Sequence, residues 1–533
     1  MSLAVLASRV LGLVREVMFA TLFGASRELD AFVAAFRIPN LLRDLFAEGA
    51  LSAAFVSTFS QKLEREGDAP AWQLANRVLN DLLLVVGGIV LLGMFAAPWI
   101  VDLIAPGFHA EPGKIELTIE LTRILFPFLL LVTMAAVAMG VLNARSIFFV
   151  PASASTFFNI GSVVGGLAFA QLLAPHYLGS VWSHLHGRGP VDSEEVVPAL
   201  VGMALGTLAG GALQFLVQVP SLRRVGFRYR PIGGFRDPGV RQVLRLMAPA
   251  TLGIAAVQIN VAVNTVFASD LGSGAVSWLN YAFRLMYLPI GMFGVALGTV
   301  ALPALARSAA REDMTEFRES LRDGLRLLLV FCLPAALGLA MLAEPIIGLI
   351  YEHGRFVAAD THAVALALAA YAVGLTGYAS IKILGPAFYA LNDARTPMKV
   401  SLLSVAINLA GNWLAVRVLA LGHGGLALST SAVAMTNSAL LFTLLKRRLG
   451  GAPLGLTADC TRILLATATM GFTCWFWMAW LGAAGYLVRV ATTVPIGAAS
   501  FYLAGRAFGI SDLRRLRIRS ALLRPAPSRP PRP

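Results

Sequence analysis

Long apolar runs, each long enough to cross a bilayer, alternate with short polar turns along nearly the whole chain. Runs of about 20 apolar residues mark helical membrane spans. They fall near residues 3–24, 31–60, 79–104, 116–143, 151–174, 197–221, 242–266, 274–306, 322–351, 361–390, 398–419, 423–445, 459–482 and 485–509. The pattern predicts an all-α polytopic membrane protein with about fourteen transmembrane helices.

The pattern is broken where it matters most. Arg9, Arg15 and Glu16 interrupt the first run, and Asp30, Arg37, Arg43, Asp44 and Glu48 punctuate the second. Each such charge costs about 2.5–3.5 kcal/mol at the bilayer centre on insertion scales. These residues are tolerable only where they face a wet cavity or one another. Helical geometry sorts them. Arg9 and Glu16, seven apart, share a face with Gly12 between them, while Arg15 points roughly 100° from Glu16. Asp30, Arg37, Asp44 and Glu48 form one stripe, and Arg43 lies off it. Pro39 removes a backbone donor and bends this helix. Arg284, Gln258, Asn260 and Asn264 are the corresponding polar groups further on, and Lys382 lies inside the tenth span.

The acids pair with some of the arginines, and the surplus is cationic. A guanidinium binds phosphate oxygens bidentately and does not lose its proton. Excess arginine in a membrane cavity therefore points to an anionic substrate, with phosphate the best candidate. For Arg37, Asp44 and Glu48 a salt-bridged stripe holding helices together is the preferred alternative. Arg9, Arg15, Arg43 and Arg284 take the functional reading.

Composition agrees. Of 533 residues 57% are hydrophobic and 14% charged, with mean hydropathy +0.73; soluble domains carry about 25% charged residues. The net charge of +14 does not signal nucleic acid, because the excess lies in loops. Arg223–Arg245, Arg307–Arg326, Lys446–Arg448 and the tail place both termini in the cytoplasm by the positive-inside rule. No cleavable signal is visible, since Arg9 sits where its apolar core would lie. Cys332, Cys460 and Cys474 are scattered, without metal spacing. His176, His184 and His186 in the longest external loop, about Pro175–Pro198, read as solvated. The Arg- and Pro-rich tail, Ser511–Pro533, is expected to be disordered or to lie along anionic headgroups.

The chain also repeats itself. AAFRIP at Ala34–Pro39 matches AFRLMYLP at Ala282–Pro289, and each is followed by a small-residue run, at Ala50 and at Ala296. Two six-helix halves follow, an arrangement usual in transporters, with the substrate site between repeats. The glycines of Gly206–Gly211 and Gly291–Gly298 read as helix-packing positions. No P-loop, GxSxG or HExxH is present. Without a nucleotide-binding module, the drive left open is the membrane potential or a sodium, proton or substrate gradient; no cofactor is expected.

SRVLGLVRE, DAFVAAFRIPNLLRDLFAEGALSAAFV, SWLNYAFRLMYLPIGMFGVALGTVALPAL and GPAFYALNDARTPMKVS at Gly385–Ser401 resemble the MurJ (MviN) family of lipid II flippases, over essentially the whole chain. The resemblance implies a MATE-like fold of the multidrug and oligosaccharidyl-lipid exporter superfamily. Its N-lobe would span 1–225 and its C-lobe 226–450, around a cationic cavity. Helices thirteen and fourteen, 451–510, would form a lipid-tail groove, followed by the basic tail 511–533. It implies functional roles for Arg9, Arg15, Arg43 and Arg284, for Asp30 and Glu16, and for Ser277 of the Ser277–Trp278 pair. Positions where some relatives carry acids around the eighth-helix arginine are Phe283 and Tyr287 here. Some members bind sodium in the second lobe, and that site is not placed in this chain. The function implied is translocation of lipid II, the undecaprenyl-diphosphate-linked peptidoglycan precursor, across the bacterial inner membrane. The chain would act as a monomer among membrane lipids, near the cell-wall synthesis machinery. The rival readings are a drug–cation antiporter or an O-antigen-type flippase of the same superfamily, and a polytopic glycosyltransferase using lipid II. The antiporter should show a carboxylate-rich cavity. The enzyme needs an external catalytic carboxylate, for which Asp192, Glu194 and Glu195 are the only cluster.

Overall fold

The structure is a computed structural model that describes residues 2–46, 50–451 and 454–510, with side chains at 7–43, 54–247, 258–451 and 454–510. The first helices are α1 (Ser2–Phe23), α2 (Arg27–Phe46), α3 (Ala50–Glu66), α4 (Asp68–Ile104), α5 (Lys114–Leu125), α6 (Phe128–Ala144) and α7 (Phe149–Leu173). Then come α8 (Tyr177–Leu185), α9 (Val196–Leu216), α10 (Val219–Arg224), α11 (Pro238–Ser269), α12 (Ala275–Pro289), α13 (Val295–Ala310) and α14 (Met314–Met341). The last are α15 (Ala343–Tyr351), α16 (Ala358–Ala390), α17 (Arg395–Trp413), α18 (Gly422–Arg448), α19 (Thr457–Leu481) and α20 (Tyr486–Ala507). No strand occurs among the described residues. The all-α polytopic class is as the sequence predicts.

By length and apolarity, 11 helical stretches among the described residues suit a membrane crossing. The expected spans that fall short are α1, and α2 with α3, where charges intrude: Arg9, Arg15 and Glu16; Asp30 and Arg37. Arg9, Arg15, Glu16 and Asp30 among them are also candidate site residues. The span expected at 242–266 lies in α11, where the side chains of 248–257 lie outside the described residues. Two local expectations change. Residues 31–60, expected as one helix, belong to α2 and α3 on either side of 47–49, which lie outside the described residues. The external loop Pro175–Pro198 contains the helix α8. The tail, 511–533, lies outside the described residues, as do the side chains of Asp44 and Glu48.

The chain divides into two compact units. One contains Met1–Tyr281, Ile350–Ala363 and Val405–Leu426; the other contains Ala282–Leu349, Val364–Ser404 and the chain from Ala427 on. The first unit packs Phe55, Phe59, Leu74, Val78, Phe128 and Val132 from α3, α4 and α6 into one apolar core. In the second, α14, α19 and α20 bury Val330, Ile463, Ala466, Met470 and Phe501 together.

In the first unit α7 and α9 meet through glycine. A Cβ on Gly206 would lie 2.2 Å from the Gly166 Cα and 2.9 Å from the Ser162 carbonyl oxygen. Backbone faces backbone there, so no side chain can move aside. In the second unit a Cβ on Gly298 would lie 2.6 Å from the Lys382 carbonyl. Both glycine runs therefore serve helix packing, as the sequence predicts. Overpacking a core typically costs about 1–3 kcal/mol, and the rigid contact puts Gly206→Leu at or above the top of that range. Gly206→Leu should leave little folded protein in the membrane, measured by fluorescence-detected gel filtration. Gly179→Ala, where a Cβ meets nothing within 4 Å, should not.

The prolines of the repeated motif behave differently. Pro39 sits inside the regular helix α2. Pro289 ends α12 and is followed by a π-helical turn, Ile290–Gly294, that runs into α13. Proline lacks the N–H of the regular i→i−4 ladder, and a π turn is one way a helix absorbs that loss. The 36-residue stretch Ala275–Ala310 thus remains one helical crossing.

Candidate functional site

Arg15 comes from the middle of α1. It lies eight residues, roughly 12 Å at 1.5 Å per residue, before the helix end at Phe23. Its guanidinium donates to Glu16 Oε1 at 3.1 Å, and both side chains are buried. The Phe158 ring of α7 lies 5.1 Å from the Arg15 guanidinium carbon. The sequence separates these neighbours by roughly 100° around the helix, yet the long arginine side chain bends back to its own neighbour. Arg9, expected to share a face with Glu16, is exposed. Asn159 of α7 donates to the Ser8 carbonyl at 3.1 Å, and its side chain lies 3.7 Å from where a Cβ on Gly12 would be. Gly12 lets α1 approach α7.

Asp30 anchors a second cluster. Ser26 accepts from the Leu29 N–H and starts α2, and Glu28 and Asp30 lie in its first turn, where the helix dipole favours anions. Asp30 is fully buried. Its Oδ2 accepts from Lys114 Nζ at 3.2 Å and from the Gly274 N–H at 2.6 Å. Its Oδ1 accepts from the Ser277 N–H at 2.8 Å and the Ser277 hydroxyl at 2.7 Å. One carboxylate thus closes the start of α12 onto the start of α2, with the α5 lysine alongside. Lys114 also donates to Glu111 at 3.0 Å and stands 4.3 Å from the Phe108 ring centroid.

Neighbouring contacts extend this closure. Trp278 Nε1 donates to Asp360 at 2.9 Å, and its ring lies 4.9 Å from that of His423. Asp360 also accepts from the Val357 N–H at 3.2 Å, at the start of α16. The Arg355 N–H donates to the Thr21 carbonyl at 3.0 Å. Gly24 and Gly354, both at positive φ, permit this approach. A Cβ on Gly24 would lie 2.5 Å from the Arg355 oxygen, and one on Gly354 2.4 Å from the Thr21 oxygen. Tyr177 donates to the Leu22 carbonyl at 2.5 Å and accepts from Arg355 at 3.3 Å. Burial pushes its hydroxyl above the ordinary phenol range, so it stays a neutral donor. All of these residues belong to the first unit, and all lie at helix ends or in turns that the sequence places on one side of the membrane.

The remaining candidates are placed one by one. Arg284 projects from α12 nine residues, roughly 14 Å, past its start, and is exposed. Three aromatic rings, Tyr287, Tyr371 and Tyr378, lie 5.9, 5.5 and 6.2 Å from that of Phe283. Lys382 is exposed on α16. Arg43 and Arg37 are half-buried on α2. The structure therefore brings together Arg15 with Glu16 and Asp30 with Ser277. Asp30 takes its cation from Lys114 rather than from an arginine of the stripe.

Sequence reasoning missed Lys114, Asp360, Arg355 and Tyr177. Lys114, Asp360 and Tyr177 stand at helix starts and Arg355 in the turn between α15 and α16, none of them inside an apolar run. The available signal was a charged residue just outside an expected span, as Lys114 is for the span expected from 116. One of the amides, Asn264, belongs to an asparagine cluster in the first unit. Asn412 is buried and donates to Asn264 at 2.7 Å and to Asn408 at 3.2 Å.

Comparison with known proteins agrees with this architecture. A family profile described as lipid II flippase MurJ matches residues 19–493. The lipid II flippase MurJ of Burkholderia cenocepacia is 38% identical over 83% of this chain and 82% of its own length. A probable lipid II flippase MurJ of Haemophilus influenzae is 32% identical over 93% of this chain and 99% of its own. A solved structure of a lipid II flippase MurJ, described as an inward closed conformation, superposes with TM-score 0.76 at 26% identity, covering 98% of this chain and 99% of that one. An inward-facing multidrug transporter of the MATE family shares the fold at TM-score 0.67 and 16% identity, over 84% and 96% of the two chains. The chain belongs to the lipid II flippase MurJ family.

Proposed function

We propose that this chain is a lipid II flippase. It is a transporter, not an enzyme, and a multi-pass protein of the inner membrane. It carries the lipid-diphosphate-linked peptidoglycan precursor from the cytoplasmic to the periplasmic leaflet by alternating access. The observation that carries the reading is a fixed cation, Arg284, exposed deep within a membrane-crossing helix of a chain of this family. A fixed positive charge at that depth is expensive unless water or an anion reaches it.

In this reading Arg9, Arg15, Arg43 and Arg284 hold the diphosphate, with Lys382 adding charge. Glu16 orients Arg15. Asp30 and Ser277 form the latch at the end that must open to release the headgroup. The lobes are 1–225 and 226–450, α19 and α20 carry the polyprenyl tail, and the cycle draws on the membrane potential or an ion gradient. The protein works as a monomer beside the cell-wall synthesis machinery. Depletion in the native host should trap lipid II on the cytoplasmic leaflet, measured by its accessibility to an external lipid II-degrading enzyme. Unchanged accessibility would end the reading.

The bias of Lys and Arg in the loops supports both termini being cytoplasmic. A reporter active only in the periplasm should be silent when fused after Arg506, and an active fusion there would reverse the assignment.

A further inference from the structure

A cavity of about 720 Å³ opens in the first unit among α4, α6, α9 and α10, within the size range of small-molecule sites. None of its lining residues is among the transport candidates. Its walls are apolar: Leu79, Val137, Val141, Phe215 and Leu222. Arg223 and Arg228 also line it; both are exposed, and neither forms an ion pair among the described residues. Leu79 begins the third expected span and Leu222 follows the sixth, so the cavity sits at the edge of the hydrocarbon layer.

The cationic side is built, not loose. After α10 the chain runs along α4 and is read there by two asparagines. Asn76 donates to the Arg228 carbonyl at 3.1 Å and accepts from the Arg230 N–H at 2.7 Å. Asn80 donates to the Arg230 carbonyl at 2.8 Å and accepts from the Tyr229 hydroxyl at 2.7 Å. Further along, Asp81 accepts from the Gly234 N–H at 3.0 Å, and Arg77 pairs with Asp237, the cap of α11. Trp72 faces Phe227 at 5.9 Å and the Arg145 guanidinium at 4.8 Å, an aromatic–cation setting typical of a membrane interface.

We propose that this cavity binds an anionic glycerophospholipid of the surrounding bilayer. One acyl chain fills the apolar pocket, and the phosphate rests on Arg223 and Arg228. A fixed-charge fork at headgroup depth matches phosphate geometry, and the apolar walls match the chain. The lipid would brace the segment joining α10 to α11.

The full chain, purified in a neutral detergent, is titrated with phosphatidylglycerol, with phosphatidylcholine of the same chains, and with inorganic phosphate. Thermal unfolding and native mass spectrometry are the readouts. Phosphatidylglycerol should raise the unfolding temperature and remain bound, while the other two should do neither. Arg223→Gln with Arg228→Gln should weaken the response about tenfold or more, the loss expected for one or two charged hydrogen bonds. Ala138→Phe, which fills the pocket and leaves both arginines, should abolish it. An equal response to phosphatidylcholine, stabilisation by phosphate alone, or an undiminished response in the double arginine variant would overturn the proposal.

Discussion

Arg284→Ala should abolish complementation of a flippase-depleted strain while the protein remains in the membrane at its normal level. Arg284 is exposed on α12, so its loss opens no core cavity. A hydrogen bond to a charged group contributes about 1.5–3 kcal/mol. At 1.4 kcal/mol per tenfold, losing one phosphate contact slows transport enough to fail a growth test without unfolding the protein. Arg284→Lys should rescue in part, because the ammonium keeps the charge and loses the planar fork. Arg15→Ala should differ in kind. Arg15 is buried against Glu16 and Phe158, so its removal takes away the cation bonded to a buried carboxylate and lowers the melting temperature as well as activity. Arg15→Ala with Glu16→Gln should regain stability but not transport. Full complementation by alanine variants of Arg15, Arg43 and Arg284 alike would defeat the anionic-substrate reading.

The crossings were legible because a bilayer imposes one simple rule: about 20 apolar residues per helix. The same rule explains where legibility ends. The spans with the weakest apolar signal, α1 and α2, carry Arg9, Arg15, Glu16, Asp30 and Arg43, and polarity there is at once the functional clue and the reason the span reads poorly. Arg15 and Glu16 could be named from sequence as buried charges. That they pair with each other could not, because helix angles describe where Cβ atoms point and not where a four-carbon side chain ends. Lys114 shows the other limit. Its partner Asp30 is 84 residues away, and nothing local to either marks the other. The π turn after Pro289 has a legible cause in the proline, yet Pro39 in the matching motif sits in regular helix. The same missing N–H is absorbed differently because the neighbours differ.

Asp30→Ala should be among the most destabilising substitutions in the chain. It removes the carboxylate facing Lys114, whose side chain is fully buried, and strands the Gly274 and Ser277 donors at the start of α12. Breaking a buried pair from one side costs about 3–5 kcal/mol. Glu111 still accepts from Lys114, which keeps the cost toward the lower end. Asp30→Asn should not rescue, because its amide would turn a donor toward donors on one side of the site. Lys114→Met should cost less. The methionine keeps contact with Phe108, and Asp30 retains three donors from Gly274 and Ser277. Ser277→Ala removes one of the four Asp30 contacts and should cost about 1.5–3 kcal/mol at most, the range for a hydrogen bond to a charged group. Melting of the purified protein orders these variants. The expected ranking is Asp30→Ala and Asp30→Asn lowest, then Lys114→Met, then Ser277→Ala nearest the parent. Complementation adds the functional reading. If Asp30 is the latch of a transport cycle, Ser277→Ala should alter transport more than its small stability loss explains, because it loosens a contact that the cycle must make and break. A Ser277→Ala variant with parental transport, beside an Asp30→Ala variant that is merely unstable, would reduce the cluster to a structural tie.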